Sequence, residues 1–132
     1  MDTKLFKFKI NGDERGSLIS LEEYKNIPFK FKRIYYIFGT VKNTIRGKHA
    51  HKNLKQILIC VNGSCKVLLD DGNKKNVLEL NSPDTGLYIG KNIWREMYDF
   101  SKDCVLIVLA DKYYDEKEYI RDYSEFKKNI KK

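Results

Sequence analysis

Both histidines of the chain, His49 and His51, lie two residues apart in the segment Arg46–His51. In an extended strand, residues i and i+2 point to the same face, so both imidazoles would face one space. Imidazole titrates near neutral pH and can both accept and donate a proton. The pair is therefore typical of the start of a metal site or of an acid/base site.

A metal site at this pair would be short of ligands. The chain contains only two histidines, so a cage of three imidazoles is impossible. Two neutral imidazoles and the amide of the nearby Gln56 make a poor cage for Zn²⁺ or Fe²⁺. We therefore expect no metal and no other cofactor. The pattern favours proton abstraction next to a carbonyl, with a neighbouring cation to stabilise the enediolate.

The charge distribution supports an anionic ligand. The net charge is +8, and between Glu23 and Asp70 there is no acidic residue while ten Lys or Arg occur. Such a segment creates a positive potential that suits a phosphate or pyrophosphate. The basic residues form no helical stripe, and no nucleic-acid recognition motif is present. We therefore expect no nucleic-acid partner.

Length and composition bound the class of protein. At 132 residues with 13% aromatics, the chain is expected to form one domain, residues 1–132, with a real core. No run of 18 apolar residues and no signal-peptide core is present, so we expect a cytoplasmic protein without a membrane partner. Cys60, Cys65 and Cys104 have apolar neighbours and are expected to be buried thiols rather than bridges.

Short alternating or apolar runs separated by turn residues predict an all-β sandwich or barrel. The turn pairs are Asn11-Gly12, Asn62-Gly63 and Asp71-Gly72. An amphipathic pattern predicts a C-terminal helix over Asp115–Ile130 that packs on the barrel or on a partner subunit. The predicted strands are Leu5–Ile10, Gly16–Leu21, Arg33–Phe38, Ile45–His51, Gln56–Val61, Cys65–Asp70, Lys75–Leu80, Gly86–Ile89, Trp94–Asp99 and Val105–Ala110.

Gly47, His49, His51, Gln56 and Gly63 resemble the first motif of the cupin superfamily, with Gln56 at the position of its metal-binding Glu. More specifically, the chain resembles the nucleotide-sugar 3,4-ketoisomerases, cupin enzymes that act on dTDP-4-keto-6-deoxyglucose. The matching stretches follow one another over nearly the whole chain: Asp13–Leu18, Pro28-Phe29, Lys32–Tyr36, Arg46–Lys52, Gln56, Asn62–Ser64, Asp70–Gly72, Trp94–Met97, Tyr113–Glu116 and Tyr119–Tyr123.

The resemblance implies a cupin fold, a jelly-roll type antiparallel barrel, and an isomerase that moves the keto group from C4 to C3. It implies His49 as the principal base and His51 as its partner, with Tyr36 as a candidate proton shuttle. The product would be aminated at C3 to give 3-amino-3,6-dideoxy sugars for surface glycans such as lipopolysaccharide. The remaining candidates are substrate-binding residues: Arg15, Arg33, Arg46, Lys48, Gln56 and Trp94.

The resemblance also implies a homodimer that exchanges N-terminal strands, within about residues 1–20, in which Arg15 reaches the partner's site. Three other functions stay open from the sequence. They are a dTDP-sugar 3,5-epimerase, a non-catalytic cupin that binds a sugar or an anion, and a metal-dependent oxygenase, which the ligand count favours least.

Overall fold

A computed structural model describes residues 1–130 and contains two facing antiparallel sheets, a separate hairpin and one short helix. The strands are β1 (Thr3–Lys7), β2 (Asn11–Asp13), β3 (Gly16–Leu18), β4 (Arg33–Ile37), β5 (Arg46–His51), β6 (Gln56–Asn62), β7 (Cys65–Asp70), β8 (Lys75–Leu80), β9 (Thr85–Ile89), β10 (Trp94–Tyr98), β11 (Val105–Ala110) and β12 (Tyr119–Ile120). A 3₁₀ turn at Glu116–Glu118 precedes β12, and helix α1 spans Tyr123–Ile130.

The first sheet has the order β1-β9-β6-β11-β4, and the second has the order β12-β5-β10-β7-β8. The main core lies between them, and the three cysteines, buried and unbridged as predicted, belong to it. Their sulfur atoms lie within 4.8 Å of one another. The all-β, cupin-type fold with a short C-terminal helix, predicted from the sequence, is confirmed.

In a strand with only one covered face, more buried and more exposed residues alternate along the chain. In β4 the half-buried residues Arg33, Tyr35 and Ile37 alternate with the exposed Ile34 and Tyr36. In β6, by contrast, the first five residues are all buried, because this strand is central to its sheet and both of its faces are covered. Strand parity therefore decides which side chains of β4 can line an interior site.

Two of the three predicted turns are confirmed. Gly63 (φ +71°) and Gly72 (φ +93°) adopt the left-handed conformation that glycine tolerates between β6 and β7 and between β7 and β8. The pair Asn11-Gly12 instead lies within β2, and the hairpin turn falls at Glu14-Arg15. Asn11 and Gly12 both form backbone pairs with β3, so the prediction of a turn at this pair was wrong.

The predicted helix over Asp115–Ile130 begins eight residues too early, since α1 starts at Tyr123. Tyr119 and Ile120 form β12 and pair with His51 and Ala50 of β5. Here sheet pairing outweighs the helical pattern. The buried Phe126 of α1 packs with Trp94 and Ile120, so the predicted packing of this helix on the barrel holds. No helix among the described residues is long and apolar enough to cross a membrane.

Candidate active site

The two histidines meet inside the barrel, as the strand period predicts. His49 and His51 are 8% and 0% exposed on β5, and their Nε2 atoms lie 3.1 Å apart. The ring of Tyr119 on β12 packs against both imidazoles, with ring centroids 4.9 and 4.4 Å away. The pair is therefore held between two neighbouring strands rather than on a mobile loop.

A β-bulge aims His49 into this space. His49 pairs with Arg95, but the next pair along β10 joins Glu96 to Gly47, so Lys48 is the extra residue. Gly47 (φ +86°) and Lys48 (φ +54°) both adopt positive φ angles there. A Cβ on Gly47 would lie 3.0 Å from Met97 Cε and 3.1 Å from the Arg95 carbonyl oxygen, which explains the glycine.

Burial and the Arg95 guanidinium keep both imidazoles neutral. Burial, followed by Arg95, lowers the pKa of His49 to about 4. The same two causes, in the same order, hold the pKa of His51 far below its ordinary value. Two neutral imidazoles carry one proton each, and their Nε2 contact requires that one Nε2 donates and the other accepts. In the ring whose Nε2 donates, Nδ1 carries no hydrogen and has a free lone pair.

Arg95 is 1% exposed and has no carboxylate partner among residues 1–130. It donates to Gln56 Oε1 at 2.6 Å and, through Nε and Nη2, to the Ile93 carbonyl oxygen at 3.2 and 3.1 Å. Burial lowers its pKa to about 10, so it stays cationic at neutral pH. A fixed cation this close, engaging the oxygen of Gln56, disfavours a metal cation at the histidine pair.

Tyr35 completes a hydrogen-bonded chain with these residues. Its hydroxyl accepts from Gln56 Nε2 at 3.2 Å, and burial raises the pKa of Tyr35 above its ordinary value. The phenol is therefore protonated at neutral pH. Gln56 is 2% exposed, so both ends of its amide are engaged inside the protein.

A pocket of about 480 Å³ opens above His49 and is rich in cationic and aromatic side chains. Arg33 has its Nε buried without a partner among the described residues, and Arg121 stacks on Tyr119 with 4.4 Å between the guanidinium carbon and the ring centroid. Glu116 is the acidic neighbour and accepts from Arg121 Nε at 2.7 Å. The lining includes Arg33, Tyr35, Arg46, Gly47, His49, Met97, Tyr114, Tyr119 and Arg121.

The structure brings together five of the residues predicted for the site. His49, Arg33 and Arg46 line the pocket, and His51 and Gln56 lie buried directly behind it. The other four, Tyr36, Trp94, Arg15 and Lys48, do not line the pocket of their own chain.

Tyr36 is placed on the outer face of β4 with 62% of its surface exposed, while its neighbour Tyr35 lines the pocket. Within one chain, strand parity therefore places Tyr35, and not the predicted Tyr36, at the pocket. Arg33, also predicted for the site, shares its face with Tyr35, and that spacing of two residues is the signal that could have found it.

Trp94 is buried in the cluster with Ala50, Ile120 and Phe126, and its Nε1 donates to Glu96 Oε2 at 2.9 Å. This indole packs against α1 and does not line the pocket of its own chain. The next residue, Arg95, points to the opposite face, towards the histidine pair. Neither Arg95 nor Arg121 was predicted for the site, because an arginine within a strand or a C-terminal segment carries no motif of its own.

Arg15 and Lys48 are both solvent exposed. The Arg15 side chain is 85% exposed at the tip of the β2–β3 hairpin, where it pairs with Asp13 at 2.6 Å. Lys48 is the exposed residue of the bulge. Within one chain, neither contributes to the pocket.

An antiparallel barrel that encloses a neutral histidine pair beneath an arginine-rich pocket defines a cupin-type enzyme of acid/base chemistry. The model of the FdtA family, described as WxcM-like, C-terminal, matches residues 1–131. A relative from Aneurinibacillus thermoaerophilus, TDP-4-oxo-6-deoxy-alpha-D-glucose-3,4-oxoisomerase, is 57% identical over 100% of this chain and 95% of its own length. The chain belongs to this FdtA family.

Solved structures agree with this assignment. A 3,4-ketoisomerase from Helicobacter canadensis is 52% identical with a TM-score of 0.97, covering 100% of this chain and 99% of that one. The ketoisomerase QdtA from Thermoanaerobacterium thermosaccharolyticum, in a histidine-to-asparagine variant with TDP-4-keto-6-deoxyglucose, is 47% identical with a TM-score of 0.97, over 98% and 94% of the two chains. The predicted enzyme class, a sugar 3,4-ketoisomerase, is confirmed.

Proposed function

We propose that this enzyme converts dTDP-4-keto-6-deoxyglucose into the corresponding 3-keto sugar through an enediol or enediolate. The observation that carries the proposal is the neutral, buried pair His49 and His51 opening on a cationic pocket. The relatives named for a TDP-4-keto sugar support the choice of substrate. A ketone at C3 would then be available for amination, which fits a role in making 3-amino sugars for surface glycans.

His49 is the base in this proposal, because it is the member of the pair that lines the pocket. It takes the proton from C3, which the C4 ketone acidifies, and the C–H electron pair forms the C3–C4 double bond. The C4 oxygen receives the displaced electrons and a proton. Proton return to C4 and loss of the proton on the C3 oxygen then leave the ketone at C3.

His51 is proposed to act through His49. The 3.1 Å contact between their Nε2 atoms lets a proton pass from one ring to the other without solvent. A base that has taken a proton from carbon can thereby be neutralised inside a buried site. We place the hydroxyl chemistry on Tyr35 instead of Tyr36, because Tyr35 lines the pocket with its phenol protonated.

The arginines of the pocket are proposed to bind the diphosphate and to stabilise the enediolate. Arg33 and Arg46 were predicted for this role, and Arg121 joins them in the lining. Guanidinium groups suit phosphate oxygens because their donors form a planar fork. Glu116 beside Arg121 limits the positive charge on that side of the pocket.

We also propose a homodimer in which the N-terminal segment serves the neighbouring subunit. β1 pairs with β9 of its own chain in this structure, whereas all six strand residues of the β2–β3 hairpin are exposed. The hairpin borders an apolar groove of about 420 Å³ that includes Leu18, Ile59 and Ile107. Covering this groove with a second copy would carry the hairpin, and Arg15 at its tip, towards the partner.

The test of the proposed reaction is NMR of the sugar product formed from dTDP-4-keto-6-deoxyglucose in D₂O. A 3,4-ketoisomerase shifts the carbonyl to C3 and labels C3 and C4 with deuterium. Label at C3 and C5 would indicate a 3,5-epimerase, and an unchanged sugar would indicate a binding protein. Either of these two outcomes overturns the proposal.

A further inference from the structure

We propose that Gln56 and Arg95 are positioning residues that turn the hydroxyl proton of Tyr35 into the pocket. The inference rests on the proposed function, since it assigns the direction of a proton in that same site. It starts from a hydrogen-bonded chain of three side chains, in which Arg95 donates to Gln56 Oε1 at 2.6 Å and Gln56 Nε2 donates to the Tyr35 hydroxyl at 3.2 Å.

The orientation of the Gln56 amide is fixed by chemistry. A guanidinium has only donors, so the amide atom that faces Arg95 must be the oxygen. A flipped amide would set two donors against each other at 2.6 Å. The guanidinium is itself fixed, because its Nε and Nη2 both donate to the Ile93 carbonyl oxygen.

The direction of the Tyr35 proton follows from this amide. The NH₂ group of Gln56 has no lone pair to offer, so the Tyr35 oxygen must be the acceptor. The hydroxyl then keeps its own hydrogen for a different partner, and no other partner is present among residues 1–130. Since Tyr35 lines the pocket, that hydrogen is available to a sugar oxygen. Arg95 and Gln56 thus prepare Tyr35 as a donor before the substrate arrives.

The substitution Gln56→Glu reverses this hydrogen bond with almost no change of shape. The carboxylate accepts from Arg95 on one oxygen and from the Tyr35 O–H on the other, so the proton turns away from the pocket. The new residue also gives the buried Arg95 an acidic partner, so we expect the variant to fold with a melting temperature at or above that of the native protein.

The measurement is steady-state kinetics with dTDP-4-keto-6-deoxyglucose, with kcat taken from the plateau of the pH profile. On this plateau kcat does not depend on pH. A shift in the histidine pKa caused by the new carboxylate therefore does not contribute to the measured loss of kcat. EDTA is present, because Glu at this position is the ligand that metal-binding cupins carry. We expect kcat to fall by about 10²-fold or more, the range for a lost general acid, with KM changed by less than about threefold.

Gln56→Met and Tyr35→Phe are the matched controls. Met removes the hydrogen bond without reversing it, so its kcat should fall less than that of Gln56→Glu, although Glu is closer in shape to Gln. In the double variant Tyr35→Phe with Gln56→Glu, the second change should cost less than about twofold in kcat beyond the first, because Gln56 acts through Tyr35.

The inference is overturned if Gln56→Glu keeps native kcat, if Gln56→Met is the more damaging change, or if the two losses multiply in the double variant. These outcomes are separate from failure of the proposed function. If the native enzyme leaves the sugar unchanged, the proposed reaction itself is wrong, whereas an active native enzyme with an active Gln56→Glu variant refutes only the positioning role.

Discussion

Two imidazoles with Nε2 atoms 3.1 Å apart form one proton-handling unit. Protonating both rings would place two cations in contact inside the barrel, beside the cationic Arg95. Burial opposes even the first protonation. The residue types alone allow a metal ligand, a charged pH switch or a neutral base, and this environment selects the neutral base.

The first prediction concerns pH. Because the pKa of His49 is lowered to about 4, kcat/KM should stay constant as the pH falls from 8 to about 5, and should decline only near pH 4. An unshifted histidine would begin to lose activity near pH 6.5. A pH profile of kcat/KM measures this, and an acid limb centred near 6.5 would contradict it.

The free energy of unfolding should also depend on pH because the pKa of His49 is lowered. Between pH 6.5 and about 4 the unfolded chain binds a proton at His49 that the folded chain does not bind. The free energy of unfolding should therefore fall as the pH drops through this window, by roughly 3 kcal/mol for His49 alone at about 1.4 kcal/mol per pKa unit. His51, whose pKa is also lowered, contributes in the same direction.

The second prediction compares two neighbouring tyrosines. Tyr35→Phe removes a hydroxyl that lines the pocket and should lower kcat by about 10²-fold. Tyr36→Phe removes an exposed hydroxyl on the outer face and should change kcat by less than about twofold. Steady-state kinetics of the two variants tests the strand parity of β4, and the opposite ranking would restore Tyr36 to the site.

At the scale of elements, two features of β5 position the histidines. One edge of the strand carries the bulge at Gly47 and Lys48, and the other pairs with β12. The bulge changes the register against β10, so that His49 stands opposite Arg95. The pairing with β12 brings the Tyr119 ring against both imidazoles.

The third prediction is that Gly47→Ala damages the site more than the fold. Its φ of +86° disfavours a side chain, and the new Cβ would meet Met97 and the Arg95 backbone at 3.0 and 3.1 Å. We expect a loss of about 1–3 kcal/mol in stability and a fall in kcat of at least tenfold as His49 moves. Chemical denaturation and kinetics measure the two effects.

Gly39→Ala is the control for this change. Gly39 also has a positive φ of +63°, but a Cβ there meets nothing within 4 Å. Gly39→Ala should therefore lose stability through backbone strain but keep its kcat. Equal losses of kcat in the two variants would show that the bulge has no special part in placing His49.

For the whole molecule, the proposed dimer explains why Arg15 lies outside the pocket of its own chain. The outer face of the first sheet exposes Ile34 and Tyr36, Phe38 just beyond β4 is also exposed, and the hairpin exposes Leu18. An apolar face of this kind is typical of an interface between subunits. In such an assembly one subunit would supply Arg15 and the other would supply the histidine pair.

The fourth prediction uses mixed dimers. Arg15→Ala and His49→Asn should each lower activity strongly as pure proteins. When equal amounts are co-refolded, half of the dimers are mixed, and each has one site with both native residues. About a quarter of the native activity should return.

Mixing His49→Asn with His51→Asn is the matched control, because both changes then fall in the pocket of their own subunit. No mixed dimer has an intact site, so no activity should return. Recovery in this control would mean that the histidines act in trans. Failure of the first mixture to recover, with a dimer shown by sedimentation, would remove Arg15 from the partner's site.

Much of the fold followed from local patterns in the sequence. Strand alternation and the pairs Asn62-Gly63 and Asp71-Gly72 placed β6, β7 and β8 to within one residue. The C-terminal segment was harder, because Tyr119 and Ile120 fit a helical pattern and a strand equally well. Only β5, distant in sequence, decides between them.

The sequence by itself determined the chemistry that is available: two histidines at i and i+2, too few ligands for a metal cage, and an acid-free basic segment around them. The tertiary structure decided which groups use that chemistry. It set Tyr35 instead of Tyr36 in the pocket and brought Arg95 and Gln56 behind the histidine pair. The physical reason is that residue types follow from the chain, whereas proton affinities and hydrogen-bond directions depend on burial and on neighbours that only folding brings together.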